Sequence, residues 1–347
     1  MPHRTEVRRV DPSAPDAKAI ARAAEILRSG GLVAFPTETV YGLGANALSA
    51  DAVQGIFTAK GRPANNPLIV HVADVAAARE LASEWPPTVQ QLADRFWPGP
   101  LSLVLSKRAC VPAIVTAGAT TVALRVPAHP VALAVIRAAG VPIAAPSANR
   151  SNEVSPTRAE HVLKGLDGRI DLILDGGPTS GGLESTVIDV SAHPPKLLRP
   201  GLVTRCEIEA VIGTLQQASL KSNEQAALPS PGMLSRHYAP RAILECVADD
   251  GFTRVEQLMQ RDIRVGWLAM SDIAVAPAPN VVLMRMPRDP IEYSAELYAA
   301  LHSLDAAGVE RIVVELPPHL DAWAAVHDRL RRAACAGVPP SGGPESG

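Results

Sequence analysis

The chain has 347 residues, of which 47% are hydrophobic and 20% are charged. At roughly 100 to 200 residues per domain, this length predicts two domains, each with enough apolar side chains for a core. The 33 basic and 35 acidic residues give a net charge of −2, which argues against a protein whose main ligand is a long polynucleotide.

The cysteines and the hydropathy pattern indicate the compartment. The four cysteines are far apart and form no C-x-x-C pair: Cys110, Cys206, Cys246 and Cys335. Neither a structural zinc site nor a disulfide framework is therefore expected. The N-terminal residues lack the apolar segment of a signal peptide, and no run of about 18 apolar residues follows. We expect a cytoplasmic protein without a membrane partner.

Helix and strand patterns alternate through residues 1–203 and predict an α/β domain with an open, twisted sheet and flanking helices. Helices are predicted over 16–29, 50–59, 75–83, 88–96 and 130–139. Strands are predicted over 32–35, 68–72, 101–105, 121–126, 141–145, 170–174 and 184–190. A capping-box pattern at 157–160 predicts the start of one more helix.

The composition changes after about residue 203. A helix near 207–216 is followed by a polar stretch and then by a proline-containing segment. A connection of more than 20 residues is uncommon inside one domain, so we interpret 204–240 as a linker. Strands and helices alternate again over 241–337, which predicts a smaller, Rossmann-like α/β domain. The last ten residues, 338–347, are rich in Gly, Pro and Ser and are expected to be disordered.

The segment from Lys60 to His71 has the composition of an anion-binding site. It places Lys60, Arg62, two asparagines and His71 around a turn that contains two prolines, which keep it from being helical. His71 ends a predicted strand, and strand ends are the usual edge of a ligand crevice in an open α/β sheet. An ordinary surface loop with solvated charges is the alternative interpretation of this segment.

Other predicted strands also end or begin in hydroxyl, amide or cationic residues: Thr37, Thr39, Thr121, Arg125, Ser147, Asn149, Ser185 and Arg199. Arg125 lies in an apolar run, and a buried guanidinium needs an anionic partner. That partner would be either a bound ligand or a carboxylate of the protein in a structural ion pair. Thr37 and Thr39 would either bind an anion or complete a turn. No P-loop, Ser-His-Asp arrangement, reactive cysteine motif or metal-ligand spacing is present. The pattern favours a reaction in which the substrates supply the nucleophile, such as nucleotidyl transfer.

The order of several segments resembles one known family. FPTETVYGLGANA, KGRPANNPLIVHV, FWPGPLSLVL, VALRVPAHP, PIAAPSANRSNEVSPT, LESTVIDV and LLRPG are similar to motifs of the YrdC-like threonylcarbamoyl-AMP synthases. SPGMLSRHYAP and the second α/β unit resemble the long, two-domain branch of that family. The resemblance implies a nucleotidyltransferase that converts L-threonine, bicarbonate and ATP to L-threonylcarbamoyladenylate and pyrophosphate. That product would supply a downstream tRNA threonylcarbamoyl-transferase complex.

The resemblance also implies a role for each matching residue. The ATP-binding residues would be Lys60, Arg62, Asn66, Thr121, Ser147, Asn149, Ser155, Arg199 and Tyr238. Among these, Lys60 and Arg62 would also be catalytic by offsetting charge on pyrophosphate, and Tyr238 would act as a lid. The L-threonine-binding residues would be Thr39, His71, Arg125, Ala145 through its backbone, and Ser185; the choice of Thr39 over Thr37 depends on register. Mg²⁺ is expected to accompany ATP, bound by phosphate and water rather than by protein ligands.

Two other functions fit parts of the sequence. One is a carbamoyl-transfer module like the YrdC-like segment of hydrogenase-maturation proteins, although the separated cysteines offer no accompanying zinc finger. The other is a non-catalytic RNA-binding module, although the balanced charge does not favour stable nucleic-acid binding. The sequence makes no prediction about the role of the C-terminal domain.

Overall fold

The structure is a computed structural model that describes residues 4–217, 238–248, 251–271 and 278–334. The predictions made for 218–237, Cys335 and the tail 338–347 lie outside the described residues. No helix in the described part of the chain is long and apolar enough to cross a lipid bilayer.

The N-terminal domain is built on a mixed sheet that has eleven strands within the described residues. In chain order they are β1 Glu6–Arg9, β2 Val33–Phe35, β3 Gly42–Asn46, β4 Ile69–His71, β5 Leu101–Ser106, β6 Thr121–Arg125, β7 Ile143–Ala144, β8 Leu172–Asp175, β9 Thr186–Asp189, β10 Lys196–Arg199 and β11 Gln216–Gln217. Their order across the sheet is β1-β8-β2-β3-β7-β4-β6-β5-β9-β10-β11. The pair β4 and β6 is parallel, with His71 opposite Arg125.

Seven helices of this domain are described: α1 Ala17–Arg28, α2 Ala50–Lys60, α3 Val75–Arg79, α4 Pro87–Phe96, α5 Pro130–Ala139, α6 Ala159–Leu166 and α7 Arg205–Ile212. Asp16 caps α1 and Ser49 caps α2 by accepting a backbone N–H in the first turn. α2 ends at Gly61, whose φ of 61° reverses the chain between the two predicted phosphate-binding cations.

The helices leave part of one sheet face uncovered. α2, α4, α6 and α7 pack in one core on the first face, while α1 and α5 cover the β1 to β7 half of the second face. On the rest of the second face, strands β4, β6, β5, β9 and β10 contribute a small apolar floor: Ile69, Val104, Ala123, Val187 and Leu198. Side chains alternate between faces along a strand, so His71 and Arg125 share the face of this floor.

The C-terminal domain has a parallel sheet in the order β12-β15-β13-β14. Its strands are β12 Ile243–Val247, β13 Val265–Ala269, β14 Val281–Arg285 and β15 Arg311–Glu315, and its helices are α8 Gly251–Met259, α9 Pro290–Ala306 and α10 Ala324–Ala334. The two-domain α/β prediction is confirmed.

The two domains pack closely. Val154 and Leu183 of the N-terminal domain belong to the same buried cluster as residues of α9 and α10. Gly182 permits the closest approach, because a Cβ there would lie 2.2 Å from the carbonyl oxygen of Ser294 in α9.

Some local predictions were wrong. β1 and β3 were not predicted; β3 contains the Gly42-x-Gly44 pattern, where a Cβ on Gly44 would lie 2.7 Å from the ring of Phe35. The capping box at 157–160 is absent, because α6 follows Arg158 and the Thr157 N–H donates to His161. A capping box occurs instead at Thr204 of α7.

Residues 204–217, where the sequence placed the start of the linker, are packed on the N-terminal domain. Ile208 of α7 lies in its main core, and β11 pairs with β10. The connection to the second domain therefore starts after this packed segment.

Candidate active site

A small cleft lies on the open part of the sheet, at the carboxyl ends of β4 and β6. It is lined by nine of the predicted site residues: Thr39, Arg62, His71, Arg125, Ala145, Ser147, Ser185, Arg199 and Tyr238. Thr37 and Glu184 also line it. These nine residues come from seven of the motif segments quoted above, so the fold brings together most of the set.

Arg125 is held in one orientation by the residues around it. Its side chain is buried, its Nε donates to the Gly99 carbonyl at 3.1 Å, and Nη1 and Nη2 each donate to Thr39 Oγ1 at 3.2 Å. Nη2 also lies 2.6 Å from the Glu38 carboxylate. Arg125 therefore forms a structural ion pair, one of the two alternatives that the sequence left open. It also lines the cleft, where an anionic ligand would be its second partner.

The two threonines before β3 have different roles. The Thr37 hydroxyl donates to the Val40 carbonyl at 2.6 Å and accepts two backbone N–H groups, which makes it a turn residue. Because the Thr37 hydroxyl proton is used in the bond to Val40, Thr39 is the donor in the 2.7 Å contact between the two hydroxyls. Both threonines line the cleft, and Thr39 contacts Arg125; the choice of Thr39 as the ligand contact stays a prediction.

His71 presents a neutral ring to the cleft. Burial lowers its pKa from 6.5 to about 3, and the positive charge of Arg125 acts in the same direction. Its Nδ1 has no hydrogen-bond partner among the described residues. The neighbouring Ala145 donates its N–H to the Ile69 carbonyl at 3.0 Å, so a ligand contact through the Ala145 backbone would use its carbonyl.

Arg62 and Arg199 add two further positive charges to the lining of the cleft. Arg62 donates to Asn66 Oδ1 at 2.6 Å and to the Pro67 carbonyl at 2.7 Å. Burial lowers its pKa to about 9, with the charge on Arg199 acting in the same direction, which leaves the guanidinium charged at neutral pH. Arg199 donates to the carbonyl and the hydroxyl of Ser185. Two oriented guanidinium groups favour an anionic ligand with several oxygens.

Lys60 does not line the cleft. Its buried ammonium donates to the backbone carbonyls of Ser147, at 2.5 Å, and Asn149. Burial lowers its pKa well below the ordinary value, and the nearby charge of Arg62 adds to this effect. In this structure Lys60 fixes the turn that follows β7, and its proposed contact with a phosphate stays a prediction.

Four other predicted residues also lie outside the lining. Asn66 orients Arg62, and Asn149 donates to the Arg150 and Glu153 carbonyls. Thr121 begins β6, and the alternation of side chains along a strand puts it on the same face as Arg125. Ser155 is buried and donates to Glu184 at 2.5 Å.

Buried polar atoms without a hydrogen-bond partner among the described residues are concentrated around this region: His71 Nδ1, Asn66 Nδ2, Asn149 Oδ1, Ser151 Oγ and Asn152 Oδ1. Buried polar groups in proteins are almost always paired. Both donors and acceptors are present in this set, which indicates a ligand with both kinds of group.

Tyr238 nearly closes the cleft. Its side chain is 1% exposed, and the remaining cavity is about 50 Å³. This volume holds a few water molecules and is far below the roughly 300 Å³ minimum of ordinary small-molecule sites.

Two carboxylates of the site were missed from the sequence. Glu38 directly precedes Thr39, and Glu184 directly precedes Ser185. An acidic residue beside a predicted buried strand was the feature of the sequence that indicated them, because acidic residues are seldom buried without a partner. No group of three or more His, Cys, Asp or Glu that could hold a metal ion occurs in the described ranges.

Comparisons with known proteins agree with this geometry. The family profile described as "Telomere recombination" matches residues 25–201 and the one described as "Threonylcarbamoyl-AMP synthase, C-terminal domain" matches residues 203–335. A Bacillus subtilis relative named threonylcarbamoyl-AMP synthase is 47% identical, over 91% of this chain and 92% of its own length. This chain belongs to the threonylcarbamoyl-AMP synthase family.

Other family members match over the same extent. The Pyrococcus abyssi enzyme of that name is 45% identical over 90% of this chain and 93% of its own length, and the Schizosaccharomyces pombe one is 38% identical over 93% and 90%. A crystal structure of P. abyssi Sua5 complexed with L-threonine has a TM-score of 0.88 at 42% identity, covering 95% of this chain and 98% of that one. The YrdC-like and two-domain predictions are confirmed.

Proposed function

We propose that this chain is a nucleotidyltransferase that converts L-threonine, bicarbonate and ATP to L-threonylcarbamoyladenylate and pyrophosphate. The observation that carries the proposal is one cleft lined both by Arg125 and Thr39 and by Arg62 and Arg199, in a chain that aligns with synthases over more than nine-tenths of its length.

The side of the cleft around Arg125 suits an amino acid. Arg125 would bind the threonine carboxylate, and Thr39 and Ser185 would donate or accept beside it. The neutral His71 ring and the Ala145 carbonyl would face the polar groups of threonine that remain. This arrangement is consistent with the L-threonine complex of the P. abyssi relative.

The side around Arg62 suits a triphosphate. Arg62 and Arg199 would hold phosphate oxygens, with Ser147 and Ser155 beside the nucleotide. Asn66 would position Arg62, and Lys60 would position the turn of Ser147 unless ATP draws its ammonium to the phosphates. Each hydrogen bond to a charged group of this kind contributes about 1.5 to 3 kcal/mol.

The reaction needs no protein nucleophile. The threonine amine forms a C–N bond to bicarbonate with loss of water, which gives a carbamate. A carbamate oxygen then bonds to the α-phosphorus of ATP, and the bond to the pyrophosphate oxygen breaks. The negative charge that moves to pyrophosphate would be stabilised by Arg62, and by Lys60 if it is released from the turn.

Mg²⁺ would enter with ATP. The described lining consists mainly of cations and hydroxyls with one carboxylate, Glu184, and no cluster of carboxylates occurs among the described residues. This donor set fits a Mg²⁺ ion whose ligands are phosphate oxygens and water. The ion would further neutralise the triphosphate.

The free volume of the cleft, about 50 Å³, is smaller than ATP, so lining residues would move when the nucleotide binds. Tyr238 would then cover the bound nucleotide, as the lid prediction requires. The rest of that segment, 229–237, lies outside the described residues.

The test is pyrophosphate release by the purified full-length protein with ATP, Mg²⁺ and bicarbonate. L-threonine is compared with no amino acid and with L-serine, and the adenylate is identified by mass spectrometry. Threonine-dependent release with a new adenylate is the expected result. Release that does not depend on the amino acid, or no release, would contradict the proposal. In the cytoplasm, the product would pass to an enzyme that transfers the threonylcarbamoyl group to tRNA.

A further inference from the structure

Arg329 of α10 is one of the buried side chains through which the C-terminal domain contacts the candidate active site. It is 1% exposed, and its Nε donates to Glu184 Oε2 at 2.8 Å. Glu184 lines the cleft and immediately precedes Ser185. A residue of one domain is thus paired with a cleft residue of the other.

Arg329 contacts two more segments that carry predicted ATP-binding residues. Its Nη1 donates to the Pro200 carbonyl at 3.0 Å, directly after Arg199. Its guanidinium lies over the ring of Tyr238, with Cζ 5.2 Å from the ring centre. One planar group therefore supports three separate parts of the cleft.

Glu184 extends these contacts to a fourth part. Its Oε1 accepts from Ser155 at 2.5 Å, while its Oε2 also accepts from Tyr298 of α9 at 3.1 Å. Burial alone would raise the pKa of Glu184, but the charge of Arg329, followed by that of Arg199, holds it below the ordinary value. Glu184 is thus a charged acceptor whose orientation depends on the C-terminal domain.

The segments that carry Arg199 and Glu184 are in close backbone contact. A Cβ on Gly201 would lie 2.3 Å from the Thr186 nitrogen and 2.6 Å from the Glu184 carbonyl oxygen. The loop after Arg199 thus rests directly on the strand entry that carries Glu184 and Ser185. A guanidinium bonded to both can set their spacing.

We propose that Arg329 is a positioning residue of the active site, through which the C-terminal domain fixes the nucleotide-binding side of the cleft. It acts on Ser155 through Glu184, on Arg199 through the Pro200 carbonyl, and on Tyr238 through the ring. Among the predicted threonine-binding residues, Thr39, His71 and Arg125 make no described hydrogen bond to Arg329, while Ser185 directly follows Glu184 and accepts from Arg199. The inference rests on the proposed function for its substrate assignments.

The test uses the full-length protein and compares Arg329→Met, which keeps an unbranched side chain without the guanidinium, with Arg329→Lys, which keeps the charge. Apparent KM values for ATP and for L-threonine are measured separately by pyrophosphate release. Arg329→Met is expected to raise KM for ATP at least tenfold and KM for threonine less than threefold, with Arg329→Lys between it and the wild type. A folded Arg329→Met protein with an unchanged KM for ATP, or with equal increases in both values, would overturn the proposal.

Two further variants separate positioning from folding. Arg329→Met alone leaves Glu184 buried without its ionic partner, so Glu184→Gln/Arg329→Met removes both charges together. This folded double variant is also expected to show the selective rise in KM for ATP, and a wild-type KM would count against the proposal. Arg331→Met is the matched control: Arg331 is on the same helix, its side chain is 55% exposed, and it is expected to behave as wild type.

Binding of a non-hydrolysable ATP analogue, measured by calorimetry, distinguishes failure of this inference from failure of the proposed function. A wild-type protein without threonine-dependent pyrophosphate release contradicts the function. At least tenfold weaker analogue binding by Arg329→Met than by Arg331→Met would still support positioning. Equal binding by the two variants would refute it.

Discussion

The Glu38 carboxylate lies 2.6 Å from Nη2 of Arg125, and the two side chains are 14% and 4% exposed. Neither oxygen of Glu38 meets hydrogen-bond geometry with a described residue, so the contact is an ion pair. It compensates a buried guanidinium that would otherwise lack a counter-charge. A substrate carboxylate that binds Arg125 must compete with Glu38, because two carboxylates at one guanidinium repel each other.

Glu38→Gln is expected to strengthen threonine binding. The amide removes the competing charge and leaves Arg125 uncompensated in the free enzyme, and both effects favour an incoming carboxylate. A gain of about 1 kcal/mol would lower KM for threonine about fivefold, and the rise in melting temperature on adding threonine should grow. A higher KM for threonine would show instead that Glu38 binds the substrate ammonium. Glu25→Gln, at an exposed position of α1, is the control.

Arg62→Ala is expected to lower turnover at least tenfold. The variant loses hydrogen bonds to a charged leaving group, each contributing about 1.5 to 3 kcal/mol, and tenfold corresponds to about 1.4 kcal/mol. Arg62→Lys should recover only part of the rate, because an ammonium cannot bond Asn66 and a phosphate as a planar fork does. Initial rates of pyrophosphate release measure this, with exposed Arg108→Ala as control. Near-normal turnover of Arg62→Ala would remove Arg62 from the proposed mechanism.

The sequence predicted those parts of the site that short motifs encode. His71 and Arg125 were placed at strand ends because apolar runs bounded by prolines and glycines are readable locally, and parallel pairing of β4 and β6 brings them together. Glu184 and Arg329 are 145 residues apart, and no local pattern reports that they pair. Lys60 lies in a segment with the composition of a phosphate-binding site, yet the carbonyls that bind its ammonium come from a turn almost 90 residues later.

Lys60→Met is expected to lower both stability and ATP affinity. The Ser147 and Asn149 carbonyls would lose a buried donor, which costs about 1 to 3 kcal/mol and lowers the melting temperature by several degrees. The displaced turn should also raise KM for ATP. Lys107→Met is a matched control, since Lys107 donates to the Val111 carbonyl away from the cleft and should leave KM for ATP unchanged. A stable Lys60→Met protein with reduced turnover alone would indicate that Lys60 acts on phosphate rather than on the turn.

Acidification is expected to weaken the contact between the two domains through a pair of stacked histidines. His161 of α6 and His302 of α9 have ring centres 3.8 Å apart. His161 Nδ1 accepts the Thr157 N–H, so it is unprotonated, and His302 Nε2 lies 3.1 Å from the Ser155 carbonyl. Burial lowers the pKa of His161 to about 3 and that of His302 to about 4. The nearby charges of His302, Arg158 and Lys164 lower the pKa of His161 further. For His302, the hydrogen bond to the Ser155 carbonyl and the charge of Asp305 raise the pKa and oppose the effect of burial, while the charge of Lys164 lowers it.

The sign follows from proton binding. Between pH 6.5 and about 4 the unfolded chain holds protons on these residues that the folded protein does not, so stability falls as the pH falls. The melting temperature should therefore decrease from pH 7.5 to pH 5. The melting temperature of His302→Gln should decrease less over the same range, because one titrating ring is removed while the amide can still donate to the Ser155 carbonyl. His319→Gln is the control, because His319 stacks on His327 within the C-terminal domain. An unchanged pH dependence in His302→Gln would show that other groups cause the loss of stability in acid.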